Sequence, residues 1–301
     1  MTLHYYPGYE PPAKRLAAAL GLTCQPINIR SFPDGESLVR VSASGDVALV
    51  YCSLDHADAK LFQLLLSVAA LRDSGAAQVI LIAPYLGYMR QDTKFAPGEA
   101  VSQRVIGKLI ASTFDGLVTV DPHLHRTPTL EQAVPGIPSV NVAGAPSIAN
   151  ALVGKVAPDT ILVGPDEESQ AWVAAVANPL SLEMMVGAKQ RIDDCHVEIT
   201  LPDAERARGR PVLLVDDMIS SGGTLAQCAE KLRAAGAMLV GAVTSHCLAS
   251  PAQLESLRRS GVASIQATDT IPGPLATIAM AEPLAEAVIR LLAAPRTVTA
   301  R

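Results

Sequence analysis

Residues 212–224 read VLLVDDMISSGGT, an apolar run that delivers two adjacent carboxylates, Asp216 and Asp217, and then passes through Ser220, Ser221, Gly222, Gly223 and Thr224 into the helical pattern LAQCAEKL. The glycines let the backbone turn tightly and approach a ligand closely. A helix starting there presents unpaired N–H groups and the positive end of its dipole, which suits a phosphate. Carboxylates repel phosphate, so this pair is matched to neutral hydroxyls or to a metal on the same ligand. The combination points to a sugar phosphate more than to a bare polyphosphate. An ordinary βα turn with a solvated acidic pair has the same outline, but acids, glycines and hydroxyls together favour a binding loop.

Four further clusters carry candidate chemistry. Phe32, Asp34 and Glu36 surround a Pro33-Asp34-Gly35 turn, where a ring can stack on a base and carboxylates can accept from an amine or hydroxyl. Arg90, Gln91 and Asp92 follow an apolar run at 79–83, so Arg90 can fork onto phosphate while Gln91 reads a base. In Asp121-Pro122-His123-Leu124-His125 the two histidines lack a third His or Cys at ligand spacing, which argues against a dedicated zinc site. Magnesium prefers oxygen and keeps its waters, so Asp121 or His123 is placed near a phosphate-bound Mg2+, with Asp166 approaching the same cation. Lys189 and Arg191 stand two apart, and in an extended segment both point to one side, where they can clamp a phosphoryl transition state. The segment as far as Pro202 is a candidate closing loop.

Such residues need rigid elements to hold them. Apolar runs at 47–52, 79–83, 117–120, 160–163, 212–215 and 239–243 alternate with helical patterns near 57–72, 100–112, 145–153, 169–177, 224–235 and 251–259. Fully apolar strands belong in sheets covered on both faces, so a doubly wound, parallel α/β architecture follows. Ligands in such sheets sit at the carboxyl ends of strands, where the polar clusters fall. Turn chemistry at 135–141 marks a division into residues 1–140 and 141–280, with a C-terminal helix and tail at 281–301 that is expected to pack across the halves. The stretch 117–123, LVTVDPH, loosely echoes 213–218, LLVDDM, a hint of duplication.

Composition sets the outer bounds. The chain has 301 residues, 49% of them hydrophobic, and a formal net charge of −5, which is ample for buried cores but supplies no broad basic field for nucleic acid or an anionic membrane. The 5 cysteines show no CxxC spacing, so reduced thiols in the cytoplasm are the simpler reading. The amino terminus lacks a signal-peptide pattern, and the apolar stretch at 61–71 is too short to span a bilayer. Neither GxxxxGK[ST] nor a GxGxxG after a strand occurs, so a nucleotide would have to be held another way.

Taken in order, FPDGE at 32–36, PYLGYMRQD at 84–92, DPH at 121–123, PD at 165–166, KQR at 189–191, VDDMISSGGT at 215–224, TSH at 244–246 and TDTIP at 268–272 resemble ribose-phosphate pyrophosphokinase, the PRPP synthetase family. The DD-to-GT segment alone resembles any phosphoribosyltransferase; FPDGE, RQD and DPH narrow it. The resemblance implies two similar domains of the type I phosphoribosyltransferase kind. It also implies transfer of the β,γ-pyrophosphoryl group of ATP to the 1-hydroxyl of ribose 5-phosphate. By the same resemblance Phe32, Asp34, Glu36, Arg90, Gln91 and Asp92 hold ATP, while His123 and Asp166 serve Mg2+. Lys189 and Arg191 stabilise the transferring group. Asp216 and Asp217 bind ribose hydroxyls, residues 220–224 bind the 5-phosphate, and the protein is a homo-oligomer.

The chain departs from the family pattern at Glu167-Glu168-Ser169, where glycines are common, and at Ser220, where Asp is common; the ISSGGT form resembles archaeal members. Two alternatives stay open. One is a phosphoribosyltransferase, and the other a catalytically silent homologue that binds nucleotide and regulates a partner.

Overall fold

The computed structural model describes residues 1–43, 45–191 and 197–294, with residues 189–191 and 197–198 described through their backbone alone. Its contacts divide it into two units, Met1–Val142 with the segment from Met280 on, and Ala143–Ala279.

The first unit runs β1 (Thr2–Tyr5), α1 (Glu10–Leu20), β2 (Cys24–Pro26), β3 (Asn28–Ser31), β4 (Ser37–Arg40), β5 (Val47–Tyr51), α2 (Ala57–Asp73), β6 (Gln78–Ala83), α3 (Ser102–Thr113), β7 (Gly116–Val120), α4 (Leu130–Ala133) and β8 (Ser139–Val142). Six strands form a parallel sheet in the order β2-β1-β5-β6-β7-β8, and β3 and β4 form a separate antiparallel hairpin. The central strands VALVY, QVILIA and GLVTV are almost wholly buried, as strands covered on both faces must be. Helix α1 begins with prolines in its first turn, where the missing N–H costs nothing.

The second unit runs α5 (Ala145–Leu152), β9 (Ile161–Gly164), α6 (Gln170–Leu180), β10 (Glu183–Val186), β11 (Ala188–Arg191), β12 (Val197–Thr200), β13 (Pro211–Ile219), α7 (Gly223–Ala234), β14 (Leu239–Cys247), α8 (Pro251–Arg259), β15 (Val262–Thr268) and β16 (Ala276–Ile278). Its parallel sheet has the order β10-β9-β13-β14-β15-β16, and β11 pairs antiparallel with β12. Numbered within each unit, both sheets read 2-1-3-4-5-6, and both carry their hairpin between the second and third strands. The equivalence differs from the sequence echo: LVTVDPH belongs to the fifth strand of its sheet and LLVDDM to the third of its own. Strand β5 is the counterpart of β13, and the FPDGE hairpin is the counterpart of the KQR hairpin.

The last helix, α9 (Ala281–Ala293), packs on α1, β7 and β8 of the first unit and adds Leu284, Val288 and Leu291 to that core. Among the described residues no helix is long and apolar enough to cross a membrane.

Candidate active site

Strand β13 does not stop at Val215, where the apolar run ends, but continues to Ile219. Asp216 and Asp217 therefore sit within the strand and alternate between its faces, with the Asp217 N–H donating to Asp216 Oδ1 at 3.0 Å. The next residues form the turn. Gly222 has φ +78°, a left-handed conformation that a side chain adopts only under strain, and it opens α7 without any side-chain cap. Its carbonyl accepts the first helical bond from Ala226 N–H at 2.9 Å. Within the opening turn Ser221 Oγ accepts from Gly223 N–H at 3.4 Å. A helix start behind small, partly exposed residues is suited to an anion.

Asp166 follows β9 and begins a single 3-10 turn over Glu167–Ser169, accepting from Ser169 N–H at 3.2 Å. Burial, then the charges of Asp217 and Asp166, hold the Asp216 carboxyl well above the usual carboxylate range. The three acids thus form one electrostatic cluster at the carboxyl edge of the second sheet. Burial, followed by the charges of Asp216 and Asp166, pushes the nearby Cys228 thiol up to about 12, which leaves it protonated and unreactive. Glu167 and Glu168 are both exposed, so their added charge faces solvent.

The Lys189 and Arg191 side chains lie outside the described residues. Their backbone is that of β11, with Lys189 paired to Ile199 and Arg191 to Val197. Gly187 leads into this strand through its N–H, which donates to Gly164 O at 2.9 Å.

In the first unit, Asp92 is tied to Arg126, a residue without a role in the sequence reading although it closely follows His125. Asp92 accepts from the Arg126 backbone N–H at 2.8 Å and from its Nη1 at 2.9 Å. The Asp92 side chain is fully buried, whereas that of Arg126 is 62% exposed, so the charge on display is the guanidinium. Burial works against ionisation of Asp92, but the Arg126 bonds outweigh it and hold the carboxyl below its ordinary value. Gln91 Oε1 accepts from Ser102 Oγ at 2.6 Å, and Gln103 bridges Met89 O at 3.2 Å and Thr127 Oγ1 at 2.7 Å. The RQD and DPH segments are thereby stitched together. His123 and His125 stack edge to face at 4.0 Å. His56, Tyr88 and Asp121 have φ of +49°, +67° and +35°, one after each of β5, β6 and β7. All three lie in the left-handed region that side chains rarely adopt, a backbone strain with no signature in sequence.

Phe32, Asp34 and Glu36 lie on the exposed turn between β3 and β4. The Phe32 N–H donates to Glu36 O at 2.7 Å, Glu36 N–H donates to Asp34 Oδ1 at 3.1 Å, and Arg30 lies 5.4 Å over the Phe32 ring. They form a cluster of their own, while Arg90, Gln91 and Asp92 belong to the neighbourhood of α3.

The counterpart of the phosphate loop in the first unit, residues 52–56 between β5 and α2, reads CSLDH and has no glycine. An internal network occupies it. Lys60 Nζ donates to Tyr9 Oη at 2.6 Å and Ser53 O at 3.1 Å and pairs with Asp55 at 2.9 Å, while Tyr9 donates to Asp55. The Lys60 cation is neutralised within this network, and of the two equivalent turns the second unit's is the one that carries glycines.

Known proteins resemble this chain over most of its length. Residues 7–113 match the family model of the N-terminal domain of ribose phosphate pyrophosphokinase, and residues 147–272 match that of the phosphoribosyl transferase domain. The chain is 37% identical to a ribose-phosphate pyrophosphokinase of Methanopyrus kandleri over 92% of its own length and 95% of that protein. It is 34% identical to one from Thermococcus kodakarensis, covering 84% and 89%. A Streptococcus pyogenes ribose-phosphate pyrophosphokinase 1 is 28% identical over 93% and 90%. The fold matches the crystal structure of phosphoribosylpyrophosphate synthetase from Mycobacterium smegmatis with a TM-score of 0.79 at 24% identity, covering 97% of this chain and 99% of that one.

Proposed function

The chain belongs to the ribose-phosphate pyrophosphokinase family, and from that premise we propose that it moves the β,γ-pyrophosphoryl group of ATP onto ribose 5-phosphate. The 1-hydroxyl oxygen attacks the β-phosphorus, the bond from that phosphorus to the α,β-bridging oxygen breaks, and the hydroxyl proton is released. The products are PRPP and AMP. The observation that carries this reading is the turn from β13 into α7. Asp216 and Asp217 stand near the strand end and Gly222, at φ +78°, opens the helix, whereas the equivalent residues 52–56 have no glycine and their Asp55 is paired with Lys60.

In this reading Ser220, Ser221, Gly222, Gly223 and Thr224 take the 5-phosphate, and Asp216 and Asp217 accept from ribose hydroxyls. The first unit, residues 1–140 in the sequence division, takes ATP through Phe32, Asp34, Glu36, Arg90 and Gln91. Asp92 acts there through Arg126, which it holds by two hydrogen bonds. Lys189 and Arg191 meet the charge that spreads over the transferring group. Positioning and charge stabilisation account for most of the catalytic effect in such transfers.

The acids of the second unit fit a divalent cation, since Asp216 sits beside Asp217 and Asp166 with its carboxyl pushed upward by burial first and then by their charge. Among the described residues no three His, Cys, Asp or Glu side chains form a ready-made cage. Mg2+ would therefore be held largely by phosphate oxygens and water, with Asp166 as the candidate ligand of the second unit and His123 as that of the first. Bound there, it would neutralise the β- and γ-phosphates. The four described cysteines are free, which supports a cytoplasmic location, and a homo-oligomer remains part of the proposal.

The test is acceptor dependence. ATP consumption by the purified chain should require ribose 5-phosphate and fall by at least about a hundredfold with ribose, because the phosphate loop then has nothing to hold. Equal rates with both sugars would remove residues 220–224 from the site.

A further inference from the structure

We propose that the second unit carries a separate binding site for a compact carboxylate with an apolar body, in a cavity behind the phosphate loop, and that filling it tightens ribose 5-phosphate binding. The coupling rests on the function proposed above; the site does not.

The cavity has a volume of about 310 Å3 and lies between α8, the end of β14 and the segment before β16. That is the small end of the range for ligand pockets, roughly 300–1,000 Å3. Its walls include Pro251, Leu254, Ile271, Pro272 and Leu275, and Arg258 is the only charged residue among them. The partner of Arg258 within the chain is Glu255 at 3.9 Å, with side chains 49% and 62% exposed, a weak surface pair that a ligand can displace. A guanidinium at the edge of an apolar pocket selects a planar carboxylate, which it can grip with two parallel bonds. A nucleotide or sugar phosphate is a poor match, because apolar walls would leave its remaining oxygens unpaired.

Two contacts join the cavity walls to the phosphate loop. Leu248, between the wall residues Cys247 and Ala249, donates its N–H to Ile219 O at 2.8 Å, immediately before Ser220. On α8, Leu257 packs over Gly222, 3.7 Å from where a β-carbon would stand. The floor of the region is stiff. Thr268 and Thr270 hydroxyls donate to Ser245 O at 2.7 and 2.9 Å, and His246 Nδ1 meets Thr270 Oγ1 at 2.9 Å, all of it buried. With that floor locked, a molecule wedged against Leu254 and Arg258 fixes α8, and through Leu257 it fixes the turn at Gly222. A loop already ordered loses less entropy when phosphate binds.

Phenylacetate is a suitable probe, with phenylacetamide as its uncharged isostere. Calorimetric titration of the purified full chain with phenylacetate should be saturable at one site and about tenfold weaker in Arg258→Gln, an exposed position where folding is not at risk. Phenylacetamide should bind wild type and variant alike. Saturating phenylacetate should then lower the dissociation constant of ribose 5-phosphate by about fivefold or more, and by linkage the sugar should tighten phenylacetate equally. Non-saturable binding, or equal affinity in wild type and Arg258→Gln, would overturn the site. Saturable, Arg258-dependent binding that leaves ribose 5-phosphate affinity unchanged would overturn the coupling. Failure of ribose 5-phosphate itself to bind would count against the proposed function, because the phenylacetate titration needs no substrate.

Discussion

Asp216 holds a carboxylate where it is least comfortable. Its native carboxyl titrates above the ordinary value of 3.8, because of burial first and then Asp217 and Asp166. The folded chain thus binds this proton more readily than the unfolded one, and stability falls as pH rises from 3.8 through the native value. Asp216→Asn removes that cost. It should be more stable than wild type near neutral pH by about 0.5–2 kcal/mol while losing turnover, and the gap should close toward pH 3.8; thermal melts across pH check it, and a lower melting point at neutral pH would contradict it. His4 is the opposite case. It is fully buried in β1, neither ring nitrogen has a hydrogen-bond partner among the described residues, and burial lowers its pKa from 6.5. Stability from the neutral ring is complete above pH 6.5 and is lost as pH falls below it toward the lowered native value. His4→Leu should gain about 1 kcal/mol and flatten the acid limb, as urea unfolding on either side of pH 6.5 would show. The acids, glycines and hydroxyls of 212–224 were legible because their chemistry is local. Arg126 was not, since nothing in its neighbours says that a buried Asp92 lies 34 positions away.

Both units insert an antiparallel hairpin at the same point of the same sheet order, and in both the hairpin carries residues assigned to ATP or to the transferring group. Gly187 anchors the second hairpin. A β-carbon there would stand 2.5 Å from Pro165 O and 3.1 Å from Leu201 Cδ2, and a backbone carbonyl cannot step aside as a side-chain tip can. Gly187→Ala should displace β11 from Pro165 and Asp166, reducing turnover by at least about tenfold and stability by about 1–3 kcal/mol, with ribose 5-phosphate binding retained. Steady-state kinetics beside calorimetry separate these effects, and undiminished turnover would dissociate the hairpin from the chemistry. The central strands were readable as continuous apolar runs. The peripheral ones were not: β8 reads SVNV, β10 EMMV and β15 VASIQAT, and their mixed burial dilutes the apolar signal. The same dilution hid the duplication, so that the visible echo paired strands of different rank.

At the scale of the whole molecule, a repeated sheet order carries unequal turns, one with Gly222 and Gly223 and the other with Asp55 paired to Lys60. The chain then returns from the second unit to the first, where α9 lays Leu284, Val288 and Leu291 on the core. Residues near 283–292 were legible as a helix from their apolar spacing. Its seat on α1, β7 and β8 was not, because an apolar stripe does not say which sheet it covers. The proposed function has one chemical outcome, and identifying the products tests it most directly. Phosphorus NMR of the purified chain with ATP, Mg2+ and ribose 5-phosphate should show AMP and a sugar-linked diphosphate growing in equal amounts, with no ADP. ADP accompanied by a sugar bisphosphate would contradict pyrophosphoryl transfer, and an unchanged ATP spectrum from a chain that binds both substrates would contradict catalysis altogether.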